Sequence, residues 1–384
     1  MNALPRQELT ALTSLRGIAA VLVMLHHFTM VVLKDLVQAS PTSLIPKSYL
    51  WVDLFFILSG FVLAYGYHTT FHQRIQPGQY LRFIQARFAR IYPLHLFMLM
   101  LFVAYESLQW LLSDLGAQGM SHVEAPFTKG QSLYTLKTNL LLIQTIHWRA
   151  YWNEPAWSIS AEWMIYFTLP FLIAILFRLR STWILPIAAL AIIPLIIIET
   201  YFGDLGLYYA GWPMLIRCAC EAILGILAYR CYQLGLFSHI ASVKLLTPAL
   251  ILNLVLLALP GPGVPSVIGF AWLVLCASRL QQHQPHFLNT NWVVYMGSVS
   301  YSIYLVHWLI LDIVKDGARF LTGVPADQAL TPTLQGIMLI IMVGLTFGIS
   351  HLTYRYIENP MRKRLKPSSK KTRSQSEVRH NIDS

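Results

Sequence analysis

Hydrophobic positions in this chain fall mostly into long unbroken runs rather than into stripes. Apolar stretches of about 17–25 residues, the length that carries a helix across roughly 30 Å of hydrocarbon, recur from near the N-terminus to residue 357. They predict about ten membrane-spanning helices, over 13–34, 49–67, 91–112, 157–177, 182–200, 212–233, 243–259, 264–281, 292–316 and 332–357. One further run, LKTNLLLIQTI at 136–146, is too short to span and predicts a short re-entrant or surface helix. The expected fold class is all-α: a polytopic integral membrane protein. A transmembrane domain over 1–360 precedes a polar, basic tail over 361–384 that is expected to be disordered.

Charge orients these runs, because loops on the cytoplasmic side collect Lys and Arg. With both termini cytoplasmic, that side receives Arg74, Arg82, Arg87, Arg90, Arg178, Arg180, Arg230, Arg279 and the tail. The opposite side keeps Lys34, Lys47, Lys129, Lys137, Arg149 and Arg319. Counting 136–146 as a crossing would put Arg178 and Arg180 outside, so it is left out of the count. A composition of 56% hydrophobic and 12% charged residues excludes a soluble domain for most of the chain. The net charge of +11 follows from topology and from a tail suited to anionic lipid headgroups, and needs no nucleic acid.

The first run is too long for a signal-peptide core and lacks a small-residue cleavage site, so it reads as a retained helix. Cys218, Cys220, Cys231 and Cys276 all fall in predicted helices, without CxxC spacing, which argues against a disulfide framework and predicts no metal site. There is no P-loop and no GxGxxG after a strand.

Against this background the polar residues inside the runs stand out, since each costs several kcal/mol to bury in hydrocarbon. Arg16 and His27 are eleven residues apart, nearly three helical turns, so they share one face about 16 Å apart. His26 points roughly 100° away. Such a stripe suits a ligand lying along the helix, or else a pair of interhelical hydrogen bonds. Arg87 and Arg90 share a face just before Pro93, which is expected to open the third span. Two guanidinium forks there suit a polyphosphate, or simple anchoring on the cytoplasmic side.

Asp53 and Glu162 enter their spans from the outer side and are candidates to orient an imidazole, to bind hydroxyls, or to pair with cations. Ser300, Tyr301, Ser302, Tyr304, His307 and Asp312 crowd one span, which predicts that it lines a cavity. Arg217 and Glu221 read as an i, i+4 pair, and Arg355 and Glu358 as structural closure of the last span.

Six of these elements, in order, resemble acyltransferase family 3, the integral membrane proteins that include bacterial O-antigen and exopolysaccharide O-acetyltransferases. They are the Arg-x10-His of Arg16 and His27, DLFFILSGF at 53–61, Arg-x-x-Arg at Arg87 and Arg90, WSISAEWMIYFTLP at 157–170, SYSIYLVH at 300–307 and ENP at 358–360. The resemblance implies transfer of an acyl group, usually acetyl, from cytoplasmic acyl-CoA to a hydroxyl of an acceptor across the inner membrane, with no metal.

It implies that Arg16, Arg87 and Arg90 bind the donor and that His27 is catalytic, as general base or as acyl carrier; Glu162 and Asp53 are the carboxylates in the chain that are candidates to orient its ring. Ser300, Tyr301 and His307 would line the substrate cavity. The implied partners are acyl-CoA, a glycan or other hydroxyl acceptor, membrane lipids and, because some members carry a fused esterase-like domain, a separate extracytoplasmic transferase. The competing readings are a transporter or flippase of a polar substrate, and a membrane scaffold whose polar residues only join helices.

Overall fold

The computed structural model describes residues 9–72, 74–128, 130–147, 150–201, 207 and 211–367. Lys129, Arg149 and the tail from 368 lie outside them. Among the described residues the fold is helical and contains no strand. Its helices are α1 (Thr10–Val32), α2 (Lys34–Gln38), α3 (Trp51–Phe71), α4 (Pro77–Asp114), α5 (Leu133–Leu140), α6 (Ala156–Tyr166), α7 (Leu169–Arg178), α8 (Ile184–Tyr201), α9 (Pro213–Gln233), α10 (Leu246–Ala258), α11 (Val264–Ala277), α12 (Asn291–Ser298), α13 (Ser300–Thr322), α14 (Ala326–Ala329), α15 (Pro332–Thr353) and α16 (Asn359–Leu365).

Five of the helical segments are long and apolar enough to cross a bilayer, and seven if each of two bent pairs counts once. Two expected single spans are these broken pairs. The run at 157–177 is α6 and α7, bent by 58°, and the run at 292–316 is α12 and α13, bent by 64°. Pro170, in the first turn of α7, explains the first break: it has no N–H to donate to the carbonyl of Tyr166, and its ring crowds that carbonyl, so the helix of α6 cannot run on. The runs at 243–259 and 264–281 form helices of 13 and 14 residues, short of a full crossing by themselves.

The stretch at 136–146 contributes α5, eight residues opened by a Ser132–Thr135 capping box, and a 3₁₀ turn at Gln144–Ile146. α4 begins fourteen residues before its expected start and continues through Pro93, so Arg87 and Arg90 lie inside the helix and do not precede it. Helix also crosses residue 360, because α15 passes through a π-helical turn at Tyr354–Glu358 into α16.

Two contacts without side chains set the helix positions. A Cβ on Gly225 of α9 would sit 2.0 Å from the Ile57 carbonyl oxygen of α3, and one on Gly60 of α3 would sit 2.1 Å from the Ala222 oxygen of α9. A Cβ on Gly297 of α12 would likewise meet the Thr13 oxygen of α1 at 2.0 Å. Backbone-to-backbone packing of this kind substitutes dispersion for the hydrophobic drive that lipid removes. Outside this core, α8 and α15 turn Leu190, Ile193, Ile197, Ile340 and Leu345 outward, as a hydrocarbon-facing surface requires.

Gly225→Val is expected to destabilise the fold by about 1–3 kcal/mol or more, because the backbone contact cannot relax. Gly344→Val, at a position where a Cβ meets nothing within 4 Å, is the matched control. Thermal unfolding in detergent should separate the two variants.

Candidate functional site

Helices α1, α3, α4, α6 and α13 enclose a cavity of about 100 Å³ onto which Arg16, Arg87, Arg90, Glu162, Ser300 and Tyr301 all open. Each arrives for a local reason. The i, i+3 spacing of Arg87 and Arg90 puts both guanidinium groups on the inner face of α4. The bend after α12 starts α13 at Ser300, so its first turn delivers Ser300 and Tyr301 to the wall.

Arg87 lies over the rings of Tyr67, at 5.8 Å, and Phe83, at 6.0 Å, and its Nε is buried without a hydrogen-bond partner. Ser300 Oγ is also buried and unpartnered. Arg90 donates from Nη1 to Glu358 Oε1, while Ser302 Oγ donates to Glu358 Oε2 at 2.9 Å. The Tyr301 ring lies 5.5 Å from the Arg90 guanidinium, and its hydroxyl donates to the Ile91 carbonyl at 2.6 Å. A buried guanidinium N–H and a hydroxyl left without protein acceptors are stabilised by a guest that supplies oxygens, above all an anionic one.

His27 is not on this cavity. It lines a smaller one of about 20 Å³ with Val23, Tyr49, Val52, Glu154, Pro155, Trp157 and Tyr304. Tyr304 borders both cavities. Its hydroxyl is 2.8 Å from Ser158 Oγ and donates to the Pro155 carbonyl at 3.1 Å. His27 Nδ1 lies 3.0 Å from His307 Nε2, and Trp308 meets the His27 ring edge-on at 5.0 Å. His26 points elsewhere and donates from Nδ1 to the Ile45 carbonyl at 2.7 Å.

The structure redistributes several partners expected from sequence. Asp53 does not reach an imidazole. It takes a bidentate bond from Arg217, with Oδ1 2.8 Å from Nε and Oδ2 2.5 Å from Nη2, and both side chains are at most 1% exposed. Glu221 is 3.4 Å from the same Nε, so the i, i+4 contact is secondary to a pairing between α3 and α9. Glu162 faces the arginine-lined cavity, where it neighbours Tyr166, and the His27 ring is oriented by neither carboxylate but by His307.

Asp312 pairs with Lys315 on its own helix, away from both cavities. Glu358 turns inward to Arg90, whereas Arg355 is exposed and stacks on Tyr356 at 5.5 Å. Sequence reasoning gave Glu358 the wrong partner and role and set His307 on the cavity wall, whereas His307 lines neither cavity; it missed Glu154 and Ser158, while Tyr304 does line a cavity as expected. Only the ENP tripeptide carried a signal for Glu358. Among the described residues no group of His, Cys, Asp and Glu is arranged to hold a metal ion, and all four cysteines are free and buried.

Comparison with known proteins adds an independent line. Residues 9–351 match the family model described as an acyltransferase domain. The chain is 32% identical over 171 residues to protein 2 in the picA locus of Rhizobium radiobacter, covering 43% of this chain and 82% of that protein. It is 25% identical over 338 residues to the acyltransferase MdmB of Streptomyces mycarofaciens, covering 80% of this chain and 79% of that protein. No solved structure matches.

Proposed function

We propose, from the premise that the chain belongs to acyltransferase family 3, that it transfers an acetyl group from cytoplasmic acetyl-CoA to a hydroxyl of an extracytoplasmic glycan. One observation carries this reading: three arginines converge on a cavity with an unsatisfied guanidinium N–H, and His27 lines a second cavity that shares Tyr304 with the first. A relative named as an acyltransferase over most of its length points the same way.

In this reading Arg16, Arg87 and Arg90 hold the phosphates and diphosphate of the donor, with Arg90 already oriented by Glu358. The thioester end of the donor must pass Tyr304 to approach His27. The acceptor oxygen then bonds to the thioester carbonyl carbon and the C–S bond breaks. The hydroxyl proton moves to the free imidazole nitrogen and from there to the departing thiolate. The same lone pair can attack the carbonyl itself and carry the acyl group before the acceptor arrives.

The bent pairs, the two short helices and the charged helix α9 count as crossings in this scheme, beside the five long apolar segments. The chain then passes ten times through the inner membrane with both termini in the cytoplasm. The acceptor is used directly or served through a separate extracytoplasmic transferase.

The test uses the full chain in nanodiscs with radiolabelled acetyl-CoA, comparing wild type with the double variant Arg87→Ala, Arg90→Ala. Charge-assisted hydrogen bonds are worth about 1.5–3 kcal/mol each, so donor affinity should fall by about 10²-fold or more. If the wild type neither binds nor consumes acetyl-CoA, the reading fails, and the same buried charges are to be assayed as a transport path.

A further inference from the structure

A histidine acting as base needs a bare nitrogen, and nothing in the sequence says which of the two on His27 is bare. The hydrogen-bond chain behind the ring decides it. His307 Nδ1 lies 3.1 Å from the carbonyl oxygen of Ile303, one turn earlier on α13. A carbonyl only accepts, so His307 carries its proton on Nδ1 and leaves Nε2 with a lone pair. That Nε2 is the atom 3.0 Å from His27 Nδ1. His27 must therefore donate from Nδ1, which leaves the lone pair on its own Nε2.

Ring geometry agrees with a hydrogen bond between these two nitrogens. The two imidazoles are inclined by only 12° with centroids 5.2 Å apart, a spacing barely two ring radii longer than the N–N distance. The rings are thus close to coplanar and meet edge to edge, with the bond in the plane of both lone pair and N–H. His307 is itself fully buried, with Phe28 at 6.1 Å and Tyr304 at 6.0 Å packed edge-on around its ring. His26 does not compete, because its Nδ1–H is committed to Ile45.

We infer that His307 is the positioning residue of this site: a neutral imidazole in the place where a carboxylate stands in serine-hydrolase triads, locking His27, which lines the smaller cavity, in the tautomer that leaves its Nε2 bare. This rests on the acyltransferase reading for its catalytic consequence, though not for the tautomer. When His27 Nε2 takes the acceptor's proton, the positive charge that develops is met through Nδ1–H by the His307 lone pair. The proton then returns from Nε2 to the thiolate, and His307 neither gains nor loses one. A neutral partner stabilises the imidazolium less than an acidic one, and so returns that proton more readily.

The experiment is magic-angle-spinning NMR of the full chain in nanodiscs with ¹⁵N-labelled histidine, with His27 assigned by difference against His27→Asn. The expected spectrum shows His27 protonated on Nδ1 alone. A wild-type His27 protonated on Nε2 overturns the inference, whatever the activity. In His307→Leu the tautomers of His27 should mix, and acetyl transfer should lose about 10²-fold in kcat with little change in the KM for acetyl-CoA. His307→Gln keeps an acceptor for the Nδ1–H and should recover part of the loss. Equal falls in kcat and affinity, with no recovery by glutamine, would reduce His307 to a packing residue and overturn the inference. If the wild type consumes no acetyl-CoA, it is the acyltransferase reading that falls, and the NMR spectrum alone decides the tautomer.

Discussion

Replacing His27 with alanine is expected to lower acetyl transfer by about 10²–10⁴-fold, the range that a positioned general base supplies. Acetyl-CoA should still bind. The two halves of the prediction separate because the arginines and the histidine line different cavities, which share Tyr304. A single-turnover assay with labelled acetyl-CoA, beside an equilibrium binding measurement, checks both. Loss of binding in His27→Ala would mean that the histidine shapes the donor cavity. Retained transfer would remove it from the chemistry. Asparagine is a sharper replacement than alanine, since it preserves much of the volume and a hydrogen bond to His307 while lacking a basic nitrogen.

Asp53→Ala should do comparable damage for a different reason. The Asp53–Arg217 pair lies between α3 and α9 where neither side chain is more than 1% exposed, and Glu221 is its third charged member. Removing one partner of a buried pair leaves the other charge desolvated and costs about 3–5 kcal/mol. The expected result is a large fall in thermal stability and in the yield of monodisperse protein. Asp53→Asn, which retains an acceptor for one guanidinium N–H, should lose less. Arg217 also lies 5.7 Å from the Trp157 ring that lines the His27 cavity, so a surviving Asp53→Ala protein should show altered transfer as a secondary effect. If its stability matches wild type, the pair is not a structural element and Asp53 returns as a candidate for a direct role.

These two residues show where local reading ends. Arg16 and His27 are on one helix, and a period of 3.6 residues is enough to align them. Arg87 and Arg90 share a face by the same rule. That Arg16 joins those two around a single cavity, while His27 opens onto another that Tyr304 also lines, depends on how α1, α4 and α13 pack together. Asp53 looked eligible for an imidazole because it enters its span on the same side as Glu162. Its actual partner is 164 positions away on α9, brought within reach by the glycine contacts of Gly60 and Gly225.

The amino-acid sequence by itself determined that this is an all-helical membrane protein, which helices carry buried charge, and which of those charges share a face. Hydrophobic run length and helical periodicity are properties of consecutive residues, and the six ordered motifs are local too. Only the tertiary structure decided which polar groups meet. His27 bonds to His307, 280 positions away, and Arg90 to Glu358, 268 positions away. The bends after α6 and α12 and the π-helical turn before α16 also emerged only in three dimensions. Inside a low-dielectric core each polar group must find a partner or a ligand, and backbone packing between distant helices settles which one is near enough.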